Sequence, residues 1–407
     1  MPFPLSNRRL RQRALAALLG LALLALAPAA ARADVQPLRW SPPPLVNPTT
    51  IQLGQGVTHT VLDPSKDYII KLPSYQKVGG TEIEGGHNVV IKGGSIAIPP
   101  TAANDPERRG IYIKNNEGTV HIEGVQIEDQ PGAIGDGIDI SAPDSTVQVE
   151  NVRIVNINGG LSTFHADVIQ PWGGVKDLRV DGLTGTSNYQ GLFLAQDLGP
   201  IGSVELQRIN LSPTPGPYDG GGHMLWITSG VSSCASYPLS LSNVYIQPRV
   251  GRSLGTSVWP QLGSSLACTG STAGGEMSWS ALGVNGGVSE GTPLSGDFVP
   301  DRVAGLSYAS PGYGSGAVAP PESPLAPTAG TPVGGASAPA AAPPPNAALS
   351  GSTAGCAGCT LPRAATASPA PHKASKTPRR KAHHKKHHKR HRHKKKRRRT
   401  RHHRKHR

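Results

Sequence analysis

The sequence predicts an all-β body built as a solenoid of stacked parallel strands, and three observations predict it. Six octets recur: "VVIKGGSI" at Val89, "VHIEGVQI" at Val120, "VQVENVRI" at Val147, "LRVDGLTG" at Leu178, "VELQRINL" at Val204 and "LSLSNVYI" at Leu239. Their starts lie 31, 27, 31, 26 and 35 residues apart, the near-fixed period of a repeat architecture. A second, shorter strand precedes each later octet: "GIYI" at Gly110, "GIDI" at Gly137, "DVIQ" at Asp167, "GLFL" at Gly191 and "MLWI" at Met224. Thirdly, period-two alternation and 50 glycines stand where helical periodicity is scarce, which favours strands and turns.

The elements follow in chain order. Residues 1–33 read as a signal peptide: Arg8, Arg9, Arg11 and Arg13, an apolar run from Ala14 to Ala27, then Ala31-Arg32-Ala33 before Asp34. The run is too short to span a bilayer, and no later run is longer, so the mature chain is expected to be exported without a transmembrane segment. The Arg8-Arg9 pair leaves a twin-arginine route open beside the ordinary one. Residues 34–312 form the predicted folded domain. Each octet reads apolar-x-apolar-x-(Gly/Asn/Arg)-apolar, so its apolar positions stack inward from coil to coil. Ile111/Ile113, Ile138/Ile140 and Leu192/Leu194 make the same ladders from the short strands. A narrow coil suits Val, Ile and Leu, and aromatics are only 4% of the chain. A β-sandwich is the structural alternative, but it does not require the repeated unit.

Residues 313–371, rich in Pro, Ala, Gly and Ser, lack the apolar residues that would repay ordering and read as a disordered spacer. Residues 372–407 hold 20 Lys/Arg, 10 His and no acid, a disordered cationic tail. Once the tail and the first 33 residues are set aside, the net charge of +15 becomes about −10 over residues 34–371, which excludes a basic nucleic-acid face on the body. The tail is expected to attract anionic cell-surface polymers and to bind transition metals only loosely. Four cysteines in an exported chain suggest disulfides: Cys234 and Cys268 would pin loops, while Cys356 and Cys359 lie in the spacer, and pairing stays open.

The octets, the short strands and the opening "DYIIKLP…GGTEIEGGHNVVIKGGSI" resemble right-handed parallel β-helix proteins of the pectin-lyase-like superfold, over Tyr68 to Ile246. That resemblance implies a right-handed coil. Its members include polysaccharide lyases, glycoside hydrolases, esterases and non-catalytic adhesins, so function has to come from the site. "GDGIDI" (Gly135 to Ile140) is similar to the Asp-Gly-Ile-Asp strand of polygalacturonase-type hydrolases. Those place a paired aspartate and then Gly-His-Gly on the following rungs. Here the next rung offers the single Asp167, and His223 arrives two rungs later.

"HADVIQPWGG" (His165 to Gly174) concentrates polar groups in a strand that otherwise suits a core. Stacking Gly110, Gly137, Asp167 and Gly191 would put Tyr112, Asp139, Ile169 and Phe193 in one outward column. His165 and Asp167 then share a face, with Asp139 diagonal to Asp167. Candidate catalytic residues are His165, Asp167 and Asp139; Tyr112, Gln170, Trp172, Tyr189 and His223 would bind substrate. Two carboxylates so placed can act as acid and base in an inverting glycosidase. Alternatively they hold Ca²⁺ against a uronate while His165 or Tyr189 removes the C5 proton, helped by Arg108 or Arg109 if its turn folds inward. The plainer readings are these: Asp136, Asp139 and Asp181 as turn formers or solvated residues, His165 as a polar partner of Asp167, and Gln170 as the start of an internal polar stack. His223, Phe193 and Trp226 would be packing residues. The chain is thus expected to act on polysaccharide as a lyase or hydrolase, or to bind carbohydrate at a surface without catalysis.

Overall fold

The structure, a computed structural model, describes residues 36–215, 222–228 and 234–318. The predicted export signal, most of the spacer, the cationic tail, Cys356 and Cys359 lie outside the described residues. What is described is all-β, a long and mostly parallel sheet with two one-turn α-helices among the described residues, Asp105–Arg108 and Leu254–Ser257.

Strand pairings sort into three columns, and the chain visits each in turn. The first runs through His59–Leu62, Thr81–Gly85, Arg109–Lys114, residues 136–141 and 169–170, Leu192–Phe193, Leu225–Trp226 and Val258–Trp259. The second runs from Thr49–Gln52 through Tyr68–Lys71, Val89–Lys92 and Thr119–Glu123 to residues 146–150, 177–181, 203–207 and 239–242. The third joins Lys77–Val78, Ser95–Ile98, Gln126–Asp129, residues 153–155, 183–187, 209–213 and 244–246, and Val288–Glu290. All these pairs are parallel and each octet supplies one second-column and one third-column strand. Such stacking is compatible with a solenoid.

The apolar ladders fill the interior. Val89, Val120, Val147, Leu178, Val204 and Leu239 stack in register, as do Ile111, Ile138, Ile169, Leu192, Leu225 and Val258, and all are buried. Each buried aliphatic side chain contributes about 1.5–3 kcal/mol against exposure. The fifth octet position turns the chain from the second column to the third, and it does so through left-handed backbone. Gly93, Gly124, Asn151, Gly182, Arg208 and Asn243 have φ of 61°, 67°, 52°, 72°, 51° and 54°. Gly and Asn adopt that conformation most readily, which accounts for the Gly/Asn/Arg pattern at this position.

A strap formed by residues 297–312 crosses the second and third columns. Arg153 donates to Asp297 Oδ2 (3.0 Å) and to the Val299 carbonyl, Val299 N–H donates to Thr184 Oγ1, and Gly305 pairs with Gly124 and Gly94. The chain then continues as Tyr313–Val318, a strand parallel to Leu38–Trp40. The predicted spacer boundary therefore needs correcting: its first six residues are a strand, because a partner near the other end supplies hydrogen bonds that composition does not reveal. Leu38–Trp40 is itself anchored by Arg39 and Trp40 N–H groups donating to Glu150 Oε1 at 2.7 and 3.2 Å. A disulfide joins Cys234 to Cys268 across 34 residues of loop-rich chain.

Candidate functional site

The strap's contacts fall on the second and third columns, which leaves the first column's outer side to be read. Asn104 caps the one-turn helix Asp105–Arg108, its Oδ1 accepting from Glu107 N–H at 3.0 Å. The next residue, Arg109, opens the strand beside Asp136 and folds inward. Its Nε lies 2.5 Å from Asp139 Oδ2 and 3.6 Å from Asp136 Oδ2, and its guanidinium sits 4.8 Å from the Tyr112 ring and 5.8 Å from the Trp172 ring.

Around it stand three buried carboxylates, Asp136, Asp139 and Asp167. Asp136 Oδ1 accepts the Asp167 N–H at 2.8 Å, and the Asp167 carbonyl accepts from Gly137 N–H, so these two aspartates sit on consecutive rungs. Both Asp167 carboxylate oxygens are buried without a hydrogen-bond partner. Desolvation pushes all three groups up. Asp139 rises to about 6, held lower than its neighbours by the Arg109 charge, while Asp136 and Asp167 rise well above the usual carboxylate range, each raised further by the charge of Asp139. The cluster thus joins one carboxylate paired with a cation to two carboxyls that burial biases towards the protonated form. That division suits acid and base roles within one site.

The register differs from the expected one by a residue. Ile138 pairs with Ile169 and Asp139 with Gln170, so the outward column is Glu82, Tyr112, Asp139, Gln170, Phe193, Trp226 and Trp259, and Ile169 faces the core. Asp167 belongs one step back, in the column of Arg109 and Asp136. Counting back from Leu192 and Leu225 brings Gln190 and then His223 into that same column, two rungs on from Asp167.

Several expectations are corrected by this placement. Asp136 and Asp139 are neither solvated nor turn residues; they are buried, and Asp181 is buried in a bidentate pair with Arg208 (2.6 and 2.7 Å). No hydrogen bond joins His165 to Asp167: His165 precedes the strand, its Nε2 is 3.2 Å from the Leu161 carbonyl oxygen, and its ring packs 5.4 Å from Tyr189. Tyr189 is buried and offers no surface platform, whereas Trp172 is 45% exposed beside Arg109. Gln170 and Tyr112 lie buried in the outward column, so Gln170 is not part of an internal stack. His223 is buried against Trp226 (5.1 Å) and Trp259 (5.6 Å), its Nδ1 unpartnered; burial, then the Arg252 charge, push it down to about 4.

Arg109 and Asp136 are the residues that sequence reasoning underrated. The signal for Arg109 was its place directly after a capped turn and directly before "GIYI"; for Asp136 it was the "GDG" that puts a carboxylate one step ahead of the strand. The aspartates do not form a metal cage. Among the described residues, three ligand atoms converge within 4.8 Å at His59, Glu82 and Glu84, where Lys114 already bonds Glu82 at 3.2 Å. At Asp139 the Arg109 guanidinium stands where the alternative lyase reading would place Ca²⁺.

Compared with protein-family models, curated proteins and solved structures, the chain matches none. Two other features compete with the aspartate cluster for attention. His121, Glu123, Gln148 and Glu150 form a buried network on the second column, but Arg39, Trp40 and Ser310 cover it. A cavity of about 630 Å³ lined by Leu72, Tyr75, Lys92, Leu306 and Tyr308 includes none of the three aspartates. Neither brings together a cation-paired carboxylate and further buried carboxyls beside an exposed aromatic ring.

Proposed function

We propose that this chain is an exported right-handed parallel β-helix of the pectin-lyase-like kind that hydrolyses a glycosidic bond at Asp139. The observation that carries this is the buried group of Asp136, Asp139 and Asp167 with Arg109 on Asp139 and Trp172 exposed at its edge. Recurring three-column strands and the repeated octets support the fold reading.

In this scheme the sugar docks on Trp172 beside the Arg109 guanidinium, which keeps its pair with Asp139 as its stem yields to the sugar. Asp167, protonated, gives its proton to the glycosidic oxygen as the bond to the anomeric carbon breaks. Water attacks that carbon from the other side and its proton passes to ionised Asp139; Asp136 hydrogen-bonds the Asp167 backbone and holds the two rungs in register. A lyase is less well supported, since its expected bases are a His165 turned to a backbone carbonyl and a buried Tyr189. The tail would hold the enzyme at anionic surface polymers.

The test incubates the full chain with neutral and acidic polysaccharides, with and without Ca²⁺, and measures new reducing ends and unsaturated products. Reducing ends that disappear in Asp139→Asn and Asp167→Asn support hydrolysis. Unsaturated products would show a lyase, and binding without turnover would show a carbohydrate-binding solenoid.

A further inference from the structure

Beyond Gln170, the outward column that contains Asp139 changes character. Its next three rungs present Phe193, Trp226 and Trp259, in register and half-buried, with ring centroids 5.2 Å apart at each step and planes tilted by 42° and 31°. Inward positions on the same strands are the fully buried Leu192, Leu225 and Val258, so the core does not require these rings. His223 leans on both indoles and keeps a buried Nδ1 with no hydrogen-bond partner. An unpartnered polar atom of this kind, at the edge of an aromatic strip, needs an explanation that packing does not give.

We propose that Phe193, Trp226, Trp259 and His223 form the holding track for a neutral polysaccharide chain, laid along the stacking direction with its reacting unit over Asp139. The proposal rests on the hydrolase reading for the position of the reacting unit, though not for the existence of the track. Rungs repeat at about 4.8 Å, close to the length of one pyranose unit, so successive sugars meet successive rings. Aromatic rings take the apolar C–H faces of pyranoses, and a neutral imidazole exchanges a hydrogen bond with a hydroxyl.

The net charge of the body disfavours an anionic glycan. Arg109 is committed to Asp139, and Arg249 and Arg252 donate to the backbone carbonyls of Tyr189 and Gly222. A uronate chain would instead approach a body of net charge about −10. That repulsion is avoided by an uncharged chain.

The experiment uses the full chain carrying Asp139→Asn, so that bound polymer is not consumed, at raised salt to silence the cationic tail. Soluble β-glucan, xylan and polygalacturonate serve as probes in affinity electrophoresis and calorimetry. At least one neutral polymer is expected to bind, polygalacturonate is not, and adding Trp226→Leu or His223→Ala is expected to weaken binding tenfold or more. Trp226→Leu keeps an apolar side chain in the stack, and melting is recorded on the same samples. Preference for polygalacturonate, no binding of any neutral polymer, or variants that lower melting while binding holds would each overturn the track. If instead Asp139→Asn remains hydrolytically active while Trp226→Leu loses binding, the acid–base reading fails and the track stands.

Discussion

Arg109 Nε and Asp139 Oδ2, 2.5 Å apart, form the ion pair that favours the ionised form of a carboxylate buried in the outward column. Removing one partner of a buried pair costs about 3–5 kcal/mol, because the other is left charged without compensation. Arg109→Gln should therefore lower melting strongly at pH 8, where Asp139 is ionised, and much less at pH 5, where it can take a proton. Thermal melting at the two pH values checks this; equal losses at both would mean the pair is not what holds Asp139.

The pH dependence of stability has a definite sign. Burial raises Asp129 and Glu150 to about 8 and Asp139 to about 6, whereas carboxyls in the unfolded chain titrate near 4. Between those values the folded state binds more protons than the unfolded one, so the stability these groups contribute is complete below about pH 4 and is lost as pH rises towards 8. His223 opposes this on the acid side, because burial lowers it to about 4 and the unfolded imidazole charges first as pH falls through 6.5. Melting should peak near about pH 5 and decline towards pH 8. Asp129→Asn should flatten that decline.

Asp167 gives the sharpest separation of stability from function. Its carboxyl is buried, unpartnered and biased by burial towards the protonated form, so Asp167→Asn puts a neutral group of the same size in its place. Melting at pH 7 should stay within about 1 kcal/mol of the native chain. Turnover should fall by about a hundredfold, since a general acid typically contributes that much or more. A large fall in melting with unchanged turnover would make the carboxyl structural.

The strap depends on one glycine. A Cβ on Gly124 would stand 2.1 Å from the Tyr308 ring, and the residue's φ of 67° disfavours other side chains as well. Gly124→Ala should destabilise by roughly 2 kcal/mol or more and open residues 297–312 to protease. Asn151 holds a similar φ one rung on, so Asn tolerates the backbone there. Gly124→Asn should still free the strap if it is the clash with Tyr308, and not the backbone, that matters.

Periodicity made the ladders readable, because octet spacing and alternation are local properties of the chain. The Gly/Asn/Arg position was visible as a pattern and became intelligible only as a left-handed corner. Register was harder. Shifting Asp167 by one residue sends Ile169 inward and Gln170 outward, and nothing in "HADVIQ" alone says where the loop ends and the strand begins at Ile169. Arg109 was foreseen only conditionally, since whether a turn folds inward is decided by contacts with residues about thirty positions away. The strand at Tyr313–Val318 was missed for the same reason: its partner is Leu38–Trp40, and its own composition is that of a spacer.

That last pairing has a mechanical consequence. Tension applied through residues beyond 318 arrives first at the parallel contact between Tyr313–Val318 and Leu38–Trp40, not at the rungs that carry Asp139. Parallel strands pulled along their length resist in shear, with several hydrogen bonds loaded together. A chain held to a surface by its C-terminal end would bear drag on this clasp while the carboxylates keep their spacing. In single-molecule pulling from the C-terminus, the first rupture should release Tyr313–Val318 and the strap, with the body yielding only at higher force.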